Sequence, residues 1–228
     1  MKNLKRQVLF CGTILAACCG LFINCHSLNK SRKGAAIGAG TGGVIGAFIG
    51  KSAGNTALGA IIGGAVGGTA GAFIGHNMDK QAAEIKQTVP GATVSREGEG
   101  IIVKFDSGIL FYIDKTDIKP DAKVNLLNLA SSLKNNPETN ILIIGHTDNT
   151  GTQSHNIDLS VHRAASVKSY LKDNSINASR LIIDGKGETE PIADNNTEAG
   201  RAQNRRVEIV ILANDKMKKE ARKGISNN

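Results

Sequence analysis

Short apolar runs alternate with helically spaced apolar positions between residues 94 and 214. The runs predict strands, and they cover residues 94–105 (a hairpin broken at Gly98-Glu99-Gly100), 141–144, 181–183 and 206–211. Apolar side chains three or four positions apart predict one helix after Pro120 and another over residues 161–171. The order strand, helix, strand, helix, strand, helix or loop, strand predicts an α+β fold, a βαβαβ(α)β sandwich.

Each predicted helix has one apolar face for the core. The inward positions are Leu126, Leu129, Ala130 and Leu133 in the first helix and Val161, Ala164, Val167 and Leu171 in the second. The strand at residues 141–144 is apolar on both faces, which is typical of a strand covered or flanked by helices. The last strand, residues 206–211, alternates more. Residues 94–214 are therefore predicted to form the globular domain.

Residues 34–75 form a glycine-rich block with regular spacing. This block holds 15 of the 27 glycines, and its only charged residue is Lys51. Five glycines recur every fourth residue from Gly34 to Gly50, and five more repeat that series from Gly59 to Gly75. Such spacing puts the glycines along one side of a helix, and small residues let two helices approach closely. The duplication predicts a glycine-zipper helical hairpin packed in or on a membrane, and the alternative is a flexible Gly/Ala linker.

The remaining segments flank these two regions. Residues 76–93 are predicted to form a linker helix closed by Pro90-Gly91, and residues 215–228 a basic tail. Residues 1–24 have basic residues followed by an apolar stretch, the layout of an export signal. Residues 25–33 would then be a linker. An uncleaved transmembrane anchor is the alternative for the first segment.

Four cysteines, at positions 11, 18, 19 and 25, all lie in this N-terminal segment. The predicted domain therefore contains neither a disulfide nor a thiolate metal site. The residues before Cys25 and before Cys18 both resemble the lipobox of bacterial lipoproteins, in which the cysteine is lipidated. Cys18 has the stricter lipobox, whereas Cys25 gives a polar mature start, so Cys25 is the expected lipidation site and Cys18 the alternative.

The net charge of +8 is concentrated at the two ends of the chain, and the rest is nearly neutral. With six Phe, two Tyr and no Trp, little is available to stack on bases, so a nucleic-acid role is not expected. The five histidines show no metal-ligand spacing, and no cofactor is expected. The protein is predicted not to be an enzyme, although a wall hydrolase is the competing class.

The candidate binding residues come after the strand predicted at residues 141–144. Asp148 lies in Gly145–Gly151, directly after that strand, and Arg163 lies near the start of the next helix. A carboxylate and a guanidinium at these places form a two-point clamp for a ligand that carries both an ammonium and a carboxylate. For each residue taken singly there is an alternative: Asp148 as the cap of a turn and Arg163 as a solvated helix residue.

Residues 101–212 resemble the OmpA-like peptidoglycan-binding domain of OmpA, Pal and MotB proteins. The matching positions are Gly145–Gly151, Asn156, Leu159-Ser160, Arg163-Ala164, Val167, Tyr170-Leu171, Arg180, Gly185, Gly187, Pro191, Asn195 and Gly200–Glu208. The sequence departs from the family where an acid is common, because Phe111-Tyr112 takes that place and Tyr112 replaces the acid.

The resemblance implies a ligand and a location. In that family the position of Asp148 holds the ammonium of meso-diaminopimelate in the peptidoglycan stem peptide, and that of Arg163 holds its carboxylate. Thr147, Asn149 and Asn156 are expected around the ligand, and Asn204 and Arg206 are expected to close the site, with Arg205 facing solvent. The expected partners are peptidoglycan and outer-membrane lipid, with a homo-oligomer through the glycine zipper as a further possibility. The domain is expected to face the periplasm.

Overall fold

A computed structural model of the protein describes residues 55–226. Its centre is a five-stranded sheet in the order β1-β2-β5-β3-β4. The strands are β1 (Thr93–Glu97), β2 (Gly100–Asp106), β3 (Thr139–His146), β4 (Leu181–Gly187) and β5 (Arg206–Ala213). The helices are α1 (Thr56–Gly64), α2 (Gly68–Thr88), α3 (Ser107–Leu110), α4 (Pro120–Asn135), α5 (Gln153–Asp173), α6 (Glu198–Asn204) and α7 (Asp215–Ser226). The predicted βαβαβ(α)β order is confirmed for residues 94–214.

Strand directions define two ends of the sheet. β3 runs parallel to β4 and antiparallel to β5, and β5 runs antiparallel to β2. The carboxyl ends of β3 and β4 therefore lie beside the start of β5, and we call this the carboxyl end of the sheet. At the opposite end, the amino end, Gly100 pairs with Leu212 and Thr139 pairs with Ala213.

One face of the sheet carries the main core. The predicted inward positions of α4 are all buried there, as are Ala164, Val167 and Leu171 of α5. Helix α5 lies directly on β3 and β4 because two strand positions have no side chain. A Cβ on Gly145 would overlap the carbonyl oxygen of Ser160, and a Cβ on Gly185 would overlap Val161. This close approach fixes the start of α5 beside the carboxyl end of the sheet.

The other face of the sheet is covered by α1, which belongs to the glycine block. Ala57, Ala60 and Ile61 pack there against Leu142 and Val210 among others. Since both faces are covered, β5 is buried almost throughout and does not alternate between buried and exposed as its sequence indicated.

The second half of the glycine block is two helices, whereas the predicted hairpin implied one continuous helix over residues 57–75. Helix α1 ends at Gly64, and α2 starts only at Gly68. Gly67 and Gly68 have φ of 70° and 61°, a backbone region that interrupts an α-helix and favours glycine. The first glycine series, the export signal and both lipidation candidates lie outside the described residues.

Specific contacts attach α1 and its connection to the domain. Thr56 donates from its backbone N and its hydroxyl to the carboxylate of Glu190, at 3.0 and 2.5 Å. The carboxylate of Glu99 accepts from the backbone N–H groups of Val66 and Gly67, at 2.8 and 2.7 Å. The described glycine segment thus packs on its own domain. Within residues 55–226, no helix has the length and apolar character needed to cross a bilayer.

The predicted linker helix and basic tail also take part in the domain. Residues 76–88 continue α2, which packs against α4 and β1 through residues such as Met78 and Ile85. The tail forms α7, whose Met217 and Ala221 are buried in the same core cluster as Ile74 of α2.

Candidate functional site

The Asp148 carboxylate lies in the loop after β3, at the carboxyl end of the sheet. The backbone N–H of Thr147 donates to the carbonyl of Gly187 at 2.9 Å, which ties the loop to the end of β4. One carboxylate oxygen of Asp148 accepts from the backbone N–H of Thr150 at 2.8 Å. Asp148 is 6% exposed, so its carboxylate is held in place by the fold.

The second oxygen of Asp148 accepts from Arg205. The Nη1–Oδ2 distance is 2.5 Å, and the Nη2 of the same guanidinium lies 2.7 Å from the carboxylate of Glu198. Arg205 comes directly before β5 and reaches across the carboxyl end of the sheet. The expectation that Arg206 faces the site and Arg205 faces solvent is therefore corrected: Arg205 is the arginine at Asp148.

These contacts set the charge of Asp148. Burial raises the pKa of its carboxyl group, but hydrogen bonds from the Arg205 guanidinium and from Thr150 outweigh burial and leave the pKa below its ordinary value. Asp148 is therefore ionised at neutral pH and can pair with a cation.

Arg163 lies on α5 and is 4% exposed. Its Nε donates to the backbone carbonyl of Lys115 at 3.1 Å, and its guanidinium carbon lies 5.3 Å from the centre of the Phe111 ring. Among the described residues, no hydrogen bond within the chain occupies its two terminal nitrogens. Those two nitrogens form the fork that binds a carboxylate in two parallel hydrogen bonds.

The two predicted clamp residues lie at the same end of the sheet. Burial lowers the pKa of Arg163, the negative charges of Asp114 and Asp148 raise it, and the positive charge of Arg205 lowers it. Asp148 lies in the loop after β3, and Arg163 lies three residues after Ser160, whose backbone packs against Gly145 near the end of β3. The structure thus brings Asp148, Arg163 and Arg205 together.

The loop between α3 and α4, residues 111–119, forms a wall of this site beside Arg163. Its Asp114 has φ of 52° and accepts from the His155 ring at 3.1 Å, which links the loop to α5. Phe111 is buried and packs under Arg163, whereas Tyr112 is exposed and Ile113 is 96% exposed. Tyr112, at the position where the family often has an acid, lies 4.9 Å below the ammonium of Lys119.

Three further predicted site residues, Thr147, Asn149 and Asn156, differ in their exposure to solvent. Asn149 is exposed beside Asp148. Thr147 is buried, and its hydroxyl donates to the carbonyl of Asp148 at 2.9 Å, so it shapes the loop. The amide of Asn156 is buried and donates to Glu188 at 2.6 Å, which ties α5 to the loop after β4.

Comparisons with known proteins agree with this architecture. A family model described as the OmpA family matches residues 110–205, and one described as a YMGG-like Gly-zipper matches residues 1–79. The probable lipoprotein YiaD of Escherichia coli (strain K12) is 36% identical over 219 residues, which cover 91% of this chain and 99% of that protein. The chain belongs to the OmpA-family lipoproteins of the YiaD type. The outer membrane protein A of Bordetella avium is 41% identical over 114 residues, 50% of this chain and 59% of that protein.

Solved structures share the fold of the OmpA-like domain. The cell wall anchor of the T6SS from Pseudomonas aeruginosa is 28% identical, with a TM-score of 0.53 over 60% of this chain and 96% of that one. A MotB-like protein from Desulfovibrio vulgaris, at 24% identity, has a TM-score of 0.57 over 61% of this chain and 93% of that one. The second similarity concerns the fold alone.

Two predicted site residues of the OmpA-like domain are used inside the protein. Asn204 is fully buried; its oxygen accepts from the N–H groups of Ile192 and Ala193, and its amide nitrogen donates to Ala193 and Asn195. Arg206 is also buried, and its Nε lies 2.7 Å from the carboxylate of Glu208. Both side chains therefore hold the loop and strand that support the site.

His146, the last residue of β3, makes no hydrogen bond through its side chain to another described residue. It is fully buried. Burial lowers its pKa well below the ordinary value, and the positive charges of Arg206 and Lys186 lower it further. His146 is therefore neutral at neutral pH.

Sequence reasoning missed Arg205, Glu198 and the carbonyl of Lys115. One signal was available, because Arg206 and Glu208 are two positions apart on a strand and therefore share a face. Because successive side chains of a strand point to opposite faces, the side chain of Arg205 points away from that of Arg206. No pattern in the sequence indicates a backbone carbonyl that reaches Arg163 from 48 residues away.

Proposed function

We propose that this protein binds peptidoglycan without covalent chemistry and tethers the outer membrane to the cell wall. The ligand group is the diamino acid of the stem peptide, meso-diaminopimelate, whose side chain ends in an ammonium and a carboxylate on one carbon. The observation that carries the proposal is the pairing of an ionised, buried Asp148 with a buried Arg163 that has two unused nitrogens.

The charges around the site match such a ligand. The ammonium pairs with the Asp148 carboxylate, which has acceptor capacity beyond its two present hydrogen bonds. The ligand carboxylate pairs with the fork of Arg163, away from Lys115. Two carboxylates, Asp148 and Glu198, and two guanidinium groups, Arg163 and Arg205, thus offer charges of both signs to a zwitterion.

Burial explains why this pairing can be selective. An ammonium and a carboxylate lose water when they enter the site, and only a partner of opposite charge on each side compensates for that loss. A stem peptide with lysine at the diamino-acid position would present the ammonium without the carboxylate. It would leave the Arg163 fork unpaired, so we expect weaker binding.

The membrane end of the tether rests on the N-terminal segment. We propose that the chain is lipidated at Cys25, or at Cys18, and that the OmpA-like domain faces the periplasm. The relatives support this location, since YiaD is named a probable lipoprotein and an outer-membrane lipoprotein of Pseudomonas aeruginosa, YfiB, is 35% identical over 115 residues. The P. aeruginosa structure named above is described as a cell wall anchor.

Co-sedimentation of the full chain with isolated peptidoglycan sacculi tests the proposal. Asp148→Asn keeps the side-chain volume, Arg163→Gln substitutes a shorter polar side chain, and each removes one charge. Because a hydrogen bond to a charged group contributes about 1.5–3 kcal/mol, each variant is expected to bind roughly tenfold to a hundredfold more weakly.

Asp158→Asn is the matched control, since Asp158 is an exposed carboxylate on the same helix as Arg163. It is expected to bind as the unmodified protein does. Retention by sacculi that is unchanged in both Asp148→Asn and Arg163→Gln would contradict the proposed site, and unchanged circular dichroism would show that loss of binding is not loss of folding.

A further inference from the structure

The amino end of the sheet carries an uncharged apolar surface that nothing in the described part of the chain covers. It is formed by the end of α1, the connection at residues 65–67 and the start of α2. Ile62 is 69% exposed and Phe73 is 51% exposed, and Ala65 and Ala72 are exposed between them. No charged residue occurs from Thr56 to Gly75. Other exposed large apolar side chains, such as Ile113 and Val124, have charged neighbours in the chain, whereas this segment has none.

A basic helix lies beside this surface. Helix α7 turns Met217 and Ala221 toward α2 and leaves Lys219, Arg222 and Lys223 exposed. The ammonium of Lys218 lies 4.0 Å from the place that a Cβ would occupy on Gly64, at the end of α1.

These basic groups are available to an outside partner. Among residues 55–226, no carboxylate lies within 4.0 Å of Lys218, Lys219, Arg222 or Lys223. Glu220, Asp79 and Glu99 are engaged elsewhere, whereas Asp215, at the start of α7, has no ion-pair partner among residues 55–226. Glu220 pairs with Lys216, which also pairs with Glu138, and Asp79 pairs with Arg96. Glu99 accepts from the backbone N–H groups of the connection.

We propose that this surface, Ile62, Ala65, Ala72 and Phe73 with the basic side chains of α7, docks on an anionic phospholipid membrane. Exposed apolar side chains enter the boundary between headgroups and acyl chains, and adjacent lysines and arginines attract anionic headgroups. A second copy of this chain is a poorer occupant, because two such surfaces would bring the basic helices together.

The position of the surface fits a protein that bridges two layers. Asp148 and Arg163 lie at the carboxyl end of the sheet, whereas Glu99, which holds the α1–α2 connection, lies at the amino end. The strands between them have seven or eight residues, which spans roughly 25 Å at 3.3 Å per residue. The membrane contact therefore leaves the clamp exposed at the far end, and it does not depend on the identity of the wall ligand.

Tryptophan fluorescence of the full chain tests the inference, since the chain has no tryptophan. Phe73→Trp places a single reporter on the proposed surface, and Ile62→Trp is a second version if the first fails to fold. Ile113→Trp is the matched control, because Ile113 is 96% exposed but lies at the opposite end of the domain. Each protein is mixed with phosphatidylcholine vesicles that contain or lack phosphatidylglycerol, with brominated acyl chains as quenchers.

The Phe73→Trp emission is expected to shift to shorter wavelength and to be quenched only with phosphatidylglycerol, while Ile113→Trp stays unquenched. The quenching should disappear at high salt and when Lys219, Arg222 and Lys223 are replaced by Glu. Loss of each basic group is expected to weaken vesicle binding roughly fivefold.

The test depends on quenching of the tryptophan itself, and not on the fraction of protein bound to vesicles. An acyl anchor alone holds the chain at any bilayer but leaves Phe73→Trp in water. An unquenched Phe73→Trp, or quenching that is equal in vesicles without phosphatidylglycerol, would overturn the inference. A blue shift without vesicles would also overturn it, since a second copy (if it depends on protein concentration) or another part of the chain (if it does not) would then cover the surface.

Discussion

Arg205 and Asp148 form an ion pair of 2.5 Å at the carboxyl end of the sheet. The carboxylate proposed to receive the ligand ammonium is thus already oriented and neutralised by a guanidinium that also holds Glu198. Arg205 keeps Asp148 ionised although burial favours the neutral form.

Arg205→Gln is expected to raise the pKa of Asp148, because burial would then lack its main opposing contact. In the unmodified protein the pKa of Asp148 is depressed, so wall binding should stay constant from neutral pH down to the acidic range and fall only as the pH passes through that pKa. In Arg205→Gln the fall should begin at higher pH. Sacculus binding as a function of pH measures this, with Arg201→Gln as a control that touches Glu198 but not Asp148. Identical pH profiles for Arg205→Gln and the unmodified protein would contradict this role.

His146 is expected to make stability fall on mild acidification. Its folded pKa lies well below the unfolded value of 6.5, so its contribution is fully favourable above 6.5 and is lost as the pH falls from there toward the folded pKa. The slope from this one group is at most about 1.4 kcal/mol per pH unit.

His146→Leu has a similar volume and loses no hydrogen bond, so it should flatten that slope without destabilising the fold at neutral pH. Urea unfolding between neutral and weakly acidic pH measures the slope. His162→Leu, at an exposed position of α5, should leave the slope as it is. A slope unaffected by His146→Leu would mean that other groups govern the acid response.

Gly145→Ala is expected to destabilise the domain and weaken wall binding together. Its methyl group would overlap the carbonyl oxygen of Ser160, so α5 must move, and Arg163 moves with it. Overpacking of this kind typically costs about 1–3 kcal/mol. Thermal unfolding and sacculus binding measure both effects. Gly108→Ala in α3 meets nothing within 4 Å and should change neither. Unchanged binding in a folded Gly145→Ala protein would separate the position of α5 from the function of Arg163.

Glu99→Gln is expected to loosen α1 and its connection without unfolding the sheet. The carboxylate of Glu99 accepts two backbone N–H groups, from Val66 and Gly67, and a side-chain amide has one oxygen and no charge for that task. Amide hydrogen exchange should become faster in residues 56–67 and remain slow in β3. Glu97→Gln is the control, because Glu97 is the last residue of β1, two positions before Glu99. If amide exchange in residues 56–67 is as slow in Glu99→Gln as in the unmodified protein, Glu99 does not hold the connection.

Periodicity was sufficient to predict the domain but not the covering of its second face. Leu126, Leu129 and Leu133 are spaced as on one face of a helix, and they lie in the core as predicted. The spacing of the glycines, by contrast, did not predict where α1 packs. Four-residue spacing indicates close packing but not the partner, and Ile61 packs against the sheet at Gly100, a contact that neither sequence pattern shows alone.

The candidate site was predictable in its two central residues because a motif fixes their spacing from the strand end and the helix start. Arg205 and Arg206 are neighbours of the same type, and composition cannot tell which one turns toward Asp148. Asn204 illustrates the same difficulty, since a buried amide that holds a loop and one that holds a ligand have the same sequence signature. Their roles depend on contacts between residues distant in the chain.

The most direct test of the central claim is calorimetric titration of the full chain with two soluble stem peptides. One peptide carries meso-diaminopimelate and the other carries lysine at the same position. The diaminopimelate peptide is expected to bind at least tenfold more tightly than the lysine peptide, because only the former supplies a carboxylate for Arg163. Arg163→Gln is expected to remove this preference. Equal affinity for the two peptides, or a preference that survives in Arg163→Gln, would contradict the proposed role of Arg163.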